Sequence, residues 1–186
     1  TGALALQANN GEHFDASANG FNTLSIGADI GFTVLYTGNI TAGTLGYFVG
    51  GGGGSIEFSN ADAFSGSSAL TVGKGGGGRV VLSSANTYSG VTNVGAGSVL
   101  DIRNSGALGS AAGGTTVSAG GGIELKNGVT INEALSITGT NSTATTANVT
   151  AGLASVTGSN EWAGNITVAT ATDNARFGVS SGATLT

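Results

Sequence analysis

Ser84 to Ile102 reads SANTYSGVTNVGAGSVLDI, and this stretch indicates the fold. A lone aromatic residue, Tyr88, is followed by a small residue and by Gly90, and apolar or β-branched residues then alternate with polar ones. Alternation with a period of two is typical of β-strands, whereas a helix places its apolar residues three and four positions apart. The stretch therefore predicts two short strands separated by glycine-containing turns.

The same pattern recurs along the chain. Residues 51–66 (GGGGSIEFSNADAFSG) align with residues 75–90 (GGGGRVVLSSANTYSG) at an offset of 24, with eight of the sixteen positions identical. Both copies begin with a run of glycines before a strand, which predicts paired surface loops or tight corners. A repeat of this length with short strands is typical of a solenoid, in which each repeat forms one turn.

The element made of an aromatic, a small residue and glycine has two further good copies and two weaker ones. The six copies lie about 25 residues apart and begin at Tyr36, Phe64, Tyr88, Ala111, Ile137 and Trp162. This spacing predicts an all-β chain, a right-handed parallel β-helix (β-solenoid) of about seven rungs of roughly 25 residues. Residues 1–186 form one repeat domain, interpreted as a segment of a longer protein or filament.

The recurring residues are predicted to have structural roles. In the predicted solenoid, Phe64 packs on Tyr88 of the next rung with ring centroids within about 7 Å. Gly66 and Gly90 are predicted to share a turn conformation that residues with a Cβ rarely adopt. The predicted structural repeat positions are Tyr36, Gly38, Phe64, Gly66, Asn86, Tyr88, Gly90, Trp162 and Gly164.

The composition excludes several classes of protein. Glycine takes 36 of the 186 positions, but only 8% of the residues are charged and proline is absent, which disfavours disorder and fits a chain whose backbone lies in hydrogen-bonded ladders. Cysteine is absent, so disulfides and thiolate metal ligands are excluded. The net charge is −5 and the five basic residues are spread singly, which argues against a nucleic-acid partner. No apolar run is long enough to span a membrane.

Residues 81–102 resemble the passenger-associated transport repeat, also called the autotransporter-associated β-strand repeat. The match rests on the Asn-Thr-Tyr triplet, on Gly90 and Gly97, and on the alternating Thr92 and Val94; the departures are Val91, where glycine is common, and an extra residue before Leu100. Residues 175–186 (ARFGVSSGATLT) have the look of another such repeat. The resemblance implies a β-helical passenger or stalk at the outer surface of a Gram-negative bacterium.

Candidate chemical sites are weak. A glycosidase or lyase on a β-helix needs clustered carboxylates, and of the ten acidic residues only Glu57 and Glu124 fall at equivalent repeat positions. The segment with Glu12, His13 and Asp15 has the residue types of a metal site but contains the only histidine. Lys74 follows a glycine without the remaining residues of a phosphate-binding loop. We therefore expect no catalytic residues, no metal and no cofactor.

Three functional hypotheses remain open. The first is a structural stalk or spacer that projects another domain from the cell surface. The second is an adhesin whose surface loops bind host or matrix glycans or other cells. The third is a subunit of an extracellular fibre, because an uncovered rung could pair with another copy end to end. The apolar alternation at both ends of the sequence predicts that each end is covered by further repeats of the same polypeptide or by a neighbouring molecule.

Overall fold

The computed structural model describes residues 2–18, 20–138, 144–146, 149–168 and 175–186. Within this part of the chain the one helical element is a 3-10 turn at Phe21–Thr23, and the remainder consists of strands and short connections. The strands, numbered in chain order, are β1 Gly2–Leu6, β2 Phe14–Asp15, β3 Leu24–Ala28, β4 Thr33–Tyr36, β5 Ile40–Thr41, β6 Tyr47–Val49, β7 Ser55–Phe58, β8 Leu70–Val72, β9 Gly78–Leu82, β10 Thr92–Val94, β11 Ser98–Ile102, β12 Thr115–Val117, β13 Gly122–Lys126, β14 Thr130–Ile131, β15 Leu135–Ile137, β16 Ala144–Thr146, β17 Val149–Ala151, β18 Leu153–Thr157, β19 Ser159–Trp162, β20 Ile166–Val168, β21 Phe177–Val179 and β22 Thr184–Leu185.

Most strands belong to two parallel sheets, which we call the first and the second sheet. The first sheet has eight strands in the order β1-β3-β6-β8-β10-β12-β15-β20, and the second has seven in the order β4-β7-β9-β11-β13-β18-β21. Paired residues on neighbouring strands lie about 23 residues apart in sequence, so each turn of the chain adds one strand to each sheet. The chain is a β-solenoid of about seven turns, which confirms the predicted fold class.

Three smaller sheets account for the other described strands. β14, β19 and β22 form a parallel three-stranded sheet, and β2 pairs with β5 in parallel. β16 and β17 form the one antiparallel strand pair within the described ranges. The short sheets supply a third side to some turns, while the two large sheets run along the length of the solenoid.

The predicted alternation directs side chains into and out of the solenoid. In the first sheet Leu70 and Val72 are buried, whereas Thr71 between them is half-buried on the outer side. The inward residues of the second sheet stack in register from turn to turn and are fully buried, namely Val80, Leu82, Leu100, Ile102, Ile123 and Leu125. Burying such stacked aliphatic side chains is worth roughly 1.5–3 kcal/mol each. The core therefore extends from turn to turn along the second sheet.

A chain of aromatic rings connects several turns inside this core. Tyr36 packs edge to face on Phe58 with centroids 5.5 Å apart, Phe58 packs on Phe64 at 5.0 Å, and Phe64 packs on Tyr88 at 6.4 Å. All four rings are buried. The predicted proximity of Phe64 and Tyr88 is confirmed.

The glycine runs form stacked corners between the two sheets. Gly50–Gly53 and Gly75–Gly78 all have positive φ, between 76° and 126°. The Gly51 amide donates a hydrogen bond to the Gly77 carbonyl at 2.6 Å, so the two corners lie one on the other. Their backbone conformation explains why glycine fills both runs.

The register differs from the predicted one at the weak copy that begins at Ile137. Ile137 lies inside β15, in register with Val117 and Val168. The residue equivalent to Trp162 is Ile131, which pairs with it directly. The assumption of even spacing was wrong because a short turn precedes Ile131 and a long one follows it, in which the paired Thr130 and Glu161 are offset by 31 positions.

Tyr36 also has a different partner from the predicted one. It is in register with Phe58, and through Phe58 with Leu82, rather than with Phe64. The segment after Phe58 makes an additional bend, in which Asp62 has a positive φ of 56°, before the chain reaches Phe64. Phe58 and Phe64 therefore both belong to the aromatic chain, although the sequence repeat marks only Phe64.

Candidate functional site

Asn86 connects three consecutive turns through its side chain. Its Oδ1 accepts a hydrogen bond from the Phe64 amide at 3.0 Å, and its Nδ2 donates to the Ala107 carbonyl at 2.8 Å. The side chain is buried. A buried amide with both ends bonded satisfies backbone groups that a corner would otherwise leave unpaired.

Tyr88 is fully buried beneath the same corner. Its hydroxyl lies 2.7 Å from Thr92 Oγ1, a hydrogen bond between two residues of one turn. Burial raises the pKa of Tyr88 well above its usual range, the hydrogen bond with Thr92 lowers it by a smaller amount, and the charge of Glu133 raises it further. The phenol therefore stays protonated and acts as an anchor in the core.

Gly38, Gly90 and Gly164 lie against the backbone of the preceding turn. A Cβ built on Gly38 would overlap the Glu12 carbonyl, one on Gly90 the Ser68 carbonyl, and one on Gly164 the Glu133 carbonyl. These three glycines are required by the close approach of two turns, since none of them has a positive φ.

Gly66 differs from these glycines, and the expectation that it shares the conformation of Gly90 was wrong. Gly66 has a φ of 75°, and a Cβ added there would meet nothing within 4 Å. The Ser89 amide of the next turn donates a 2.8 Å hydrogen bond to the Gly66 carbonyl. Gly66 is a turn residue, whereas Gly90 is a contact residue.

Trp162 is buried, and its indole Nε1 donates a 2.7 Å hydrogen bond to the Glu133 carbonyl of the neighbouring turn. The ring therefore supports the long turn from the inside. Like Tyr88, it combines apolar contact area with one polar anchor.

Six charged residues meet on the outer face of the second sheet, although they form no motif in the sequence. We call them the charged cluster; they are Glu57, Arg79, Asp101, Arg103, Glu124 and Lys126. Three of the five basic residues of the chain thus come together, although they are spread singly along the sequence. Asp101 lies in the same column as Glu57 and Glu124, so the expectation that only Glu57 and Glu124 fall at equivalent repeat positions is wrong.

Arg79 and Lys126 bridge the two central carboxylates. Arg79 forms a two-point contact with Glu124, at 2.7 and 3.0 Å, and a third bond to Asp101 at 3.1 Å. Lys126 lies 2.6 Å from Asp101 and 3.2 Å from Glu124. Two-point guanidinium–carboxylate contacts are among the strongest hydrogen bonds in proteins.

Arg103 completes the cluster on the other side of Asp101. Its guanidinium donates to both oxygens of Asp101, at 3.1 and 3.0 Å, and reaches Glu57 at 3.7 Å. The hydrogen bond to Asp101 raises the pKa of Arg103 above its ordinary value. The cluster therefore extends across β7, β9, β11 and β13, four successive strands of the second sheet.

The central carboxylates are buried although they point away from the core. The side chains of Asp101 and Glu124 are 0% and 1% exposed, because the guanidinium and ammonium groups lie over them. Burial alone would lower the pKa of Arg79, but its hydrogen bond to Glu124 and the charges of Glu124 and Asp101 outweigh that effect and raise it. All four carboxylate oxygens accept N–H groups, so the arrangement works as a clamp between turns.

The residues considered for a metal site are engaged elsewhere. His13 Nε2 lies 2.9 Å from Thr41 Oγ1, and Asp15 accepts bonds from the amide and hydroxyl of Ser17, which lower its pKa. In the described ranges, no group of three or more His, Asp or Glu side chains is placed to hold a metal ion. Lys74 sits 3.6 Å from the centroid of the Phe48 ring, a cation–π contact.

Asn160 is a structural residue that the repeat pattern did not reveal. It is fully buried, its Oδ1 accepts the amides of Gly128 and Val129, and its Nδ2 donates to Ser155 Oγ and to the Thr157 carbonyl. An asparagine in a polar-looking sequence, ASVTGSNEW, gives no local signal for such a role. It performs in the long turn the kind of bridging that Asn86 performs in the middle of the chain.

Comparison with known proteins yields no relative. No family model, no curated protein and no solved structure matches the chain. None of the helical residues in the described ranges forms a segment long and apolar enough to cross a lipid bilayer.

Proposed function

We propose that this chain is a rigid structural module, a β-solenoid stalk or spacer without catalytic activity of its own. The observation that carries the proposal is the charged cluster, which ties four successive strands together on the outside of the solenoid. Inside, the stacked aliphatic residues and the aromatic chain join the same turns. A part that must hold its length and direction needs neighbouring turns fixed on both faces.

We place this module at the outer surface of a Gram-negative bacterium, as part of an autotransporter-like protein. The support is the resemblance of residues 81–102 to the passenger-associated transport repeat. In the structure Asn86, Tyr88 and Gly90 of that motif each contact a neighbouring turn. The partners at the two ends are then further turns of the same polypeptide.

Surface display tests this proposal. The full chain is inserted between a membrane anchor and a head domain of known ligand on a Gram-negative bacterium. With the head domain attached, we expect the bacteria to adhere to ligand-coated surfaces. Without the head domain, their adhesion to untreated host cells and to glycans should stay at background. Adhesion by the chain alone would contradict a purely structural role.

A second candidate is an adhesin, and an open groove favours it. The groove has a volume of about 510 Å³ and follows the glycine corners beside the second sheet. It is lined by the exposed ring of Phe32 and by the side chains of Thr33, Ser55 and Arg79. An aromatic ring can stack on a sugar, and the polar side chains can hydrogen-bond to it. Glycan binding that is lost in Phe32→Ala and retained in Phe21→Ala would select this candidate.

A third candidate is a fibre subunit, and the outermost strands favour it. Ile166 and Val168 of β20 are in register with buried Leu135 and Ile137, yet each is more than a third exposed. Phe177 of β21 is half-exposed although its partner Leu153 is buried. A second copy that covered these edges would give concentration-dependent assembly in sedimentation velocity, and a chain that stays monomeric at every concentration would rule this candidate out.

A further inference from the structure

Glu133 occupies a position that is glycine in the turns on both sides of it. Thr115 pairs with Leu135, which aligns Glu133 with Gly113, and Ile131 pairs with Trp162, which aligns it with Gly164. Both glycines allow two turns to approach closely. Glu133 therefore introduces a carboxyl group where the neighbouring turns have no side chain.

The carboxyl group is directed into the core. Glu133 is 4% exposed, and the Thr115 hydroxyl, itself buried, donates a hydrogen bond to its Oε1. The hydroxyls of Thr92 and Tyr88 lie one turn before Thr115 and are hydrogen-bonded to each other. Hydroxyls are the only polar side-chain groups that these strands bring to the carboxyl in the described part of the chain.

A small pocket that is partly open to solvent adjoins the carboxyl. Its volume is about 110 Å³, enough for a few water molecules. Besides Glu133 it is lined by Ser105, Leu108, Gly109, Ala111, Ile131 and Asn132. The lining contains no basic side chain, so an ionised carboxylate here would depend on water and hydroxyls for its stabilisation.

Among the residues that the structure describes, the titratable groups around Glu133 offer it no positive charge. Tyr88 faces it from the preceding turns as a neutral phenol. Glu161 on β19 accepts a 3.4 Å bond from Thr130 and lies exposed on the outer side. Arg79, Arg103 and Lys126 are held in the charged cluster on the second sheet.

We propose that Glu133 is a proton-controlled latch of the solenoid. With its carboxyl protonated, the turn that contains β14 and β15 packs closely against the turn of Thr115. When the proton is lost, the buried charge draws water from the adjoining pocket to the carboxylate and loosens the contact between these turns. The solenoid is then stiffest in mildly acidic surroundings and locally looser in alkaline ones.

The direction of the pH effect follows from the burial of this group. Burial raises the pKa of Glu133 to about 7 in the folded chain, against an ordinary 4.5, and the Thr115 hydrogen bond offsets part of this rise. Because the folded state holds the proton more tightly, its stabilising effect is complete below about pH 4.5 and is lost as the pH rises through 7.

Urea unfolding of the full chain between pH 4.5 and 9 tests the latch. For the wild type, the ratio of folded to unfolded protein should fall roughly 100-fold more over this range than for Glu133→Gln, which cannot ionise. Glu161→Gln, which removes a neighbouring exposed carboxyl, is the matched control and should follow the wild type. Equal pH dependence in the wild type and Glu133→Gln would overturn the proposal.

Hydrogen exchange at pH 8 shows where the chain loosens. The Thr115 amide, bonded to the Ala134 carbonyl, and the Leu135 amide, bonded to the Asn165 carbonyl, should exchange at least tenfold faster in the wild type than in Glu133→Gln. The Thr92 amide serves as a reference farther from the latch. A uniform change along the chain, or none, would contradict a local device.

A direct titration keeps the test decisive if Glu133→Gln does not fold. The carboxyl carbon of Glu133, observed by NMR in the wild type and assigned by its loss in Glu133→Gly, should titrate near neutral pH. A midpoint near that of an ordinary glutamate would show that the group is solvated or paired, and would refute the latch.

Discussion

Asp101 and Glu124 lie directly beside each other in register on the parallel strands β11 and β13, and Arg79 of β9 bonds to both. Two adjacent carboxylates repel each other, and each is buried. Their position is stable because Arg79, Arg103 and Lys126 surround them. The neighbouring turns are therefore joined by charge on the outside as they are by apolar contact on the inside.

Replacing the central acid should weaken the whole solenoid. We expect Asp101→Asn to lower the free energy of unfolding by about 2–4 kcal/mol, because it leaves partly buried cations without their partner. The measurement is urea unfolding at pH 7. Glu57→Gln should cost less than about 1 kcal/mol. The contact between Glu57 and Arg103 is longer, at 3.7 Å, and both side chains are partly exposed. Equal costs for the two variants would show that the cluster is not a clamp.

A methyl group added at Gly90 should destabilise the fold more than one added at Gly66. Gly90→Ala places a Cβ against the Ser68 carbonyl, and we expect a loss of about 3 kcal/mol or failure to fold. Gly66→Ala has free space but an unfavourable φ, and should cost about 1–2 kcal/mol. Thermal unfolding of both variants measures the difference, and the reverse order would mean that the assigned contact between turns is wrong.

Phe64 should be the most sensitive ring of the aromatic chain, since it contacts Phe58, Tyr88 and Tyr47. We expect Phe64→Ala to cost about 3–5 kcal/mol in urea unfolding. Phe32→Ala, which removes an exposed ring, is the control and should cost less than about 1 kcal/mol. A small loss at Phe64 would contradict its burial between turns.

The Asn86 side chain should be worth about 2 kcal/mol. Asn86→Ala leaves the Phe64 amide and the Ala107 carbonyl without their partner, and unpaired buried groups carry a desolvation cost of about 1–3 kcal/mol each. Asn93→Ala, on the outer side of β10, should change the stability by about 0.5 kcal/mol or less. Similar values for the two asparagines would remove Asn86 from the set of turn-bridging residues.

The fold was predictable because its signals are local. Alternation such as Leu70 and Val72 around Thr71 is visible within a few residues, and the repeat of residues 51–66 at 75–90 indicates the turn length. The register was not predictable throughout, because turn lengths vary. A short turn before Ile131 and a long one before Trp162 average to the expected spacing, and this average placed a copy at Ile137.

The charged cluster was not predictable for a related reason. Its members are brought together by unequal turns, so Arg79, Asp101 and Glu124 form no motif in the sequence. The signal that was present is their phase, since each lies at an outward position of a strand whose alternate residues are apolar. Glu133, by contrast, had no signal in the sequence, because its burial depends on the glycines that lie above and below it in space.

The most direct test of a rigid solenoid is a pair of distances measured by electron spin resonance. The chain has no cysteine of its own, so cysteines introduced in pairs would carry the spin labels. One pair is Thr71 and Ser136, and the other is Thr71 and Thr167, all on the outer side of the first sheet. Three and four strand spacings of about 4.8 Å separate these pairs. We predict narrow distributions whose centres differ by about 5 Å, although a full turn of sequence lies between Ser136 and Thr167. Broad distributions, or a difference above about 10 Å, would contradict the stacked, rigid solenoid on which the proposed function rests.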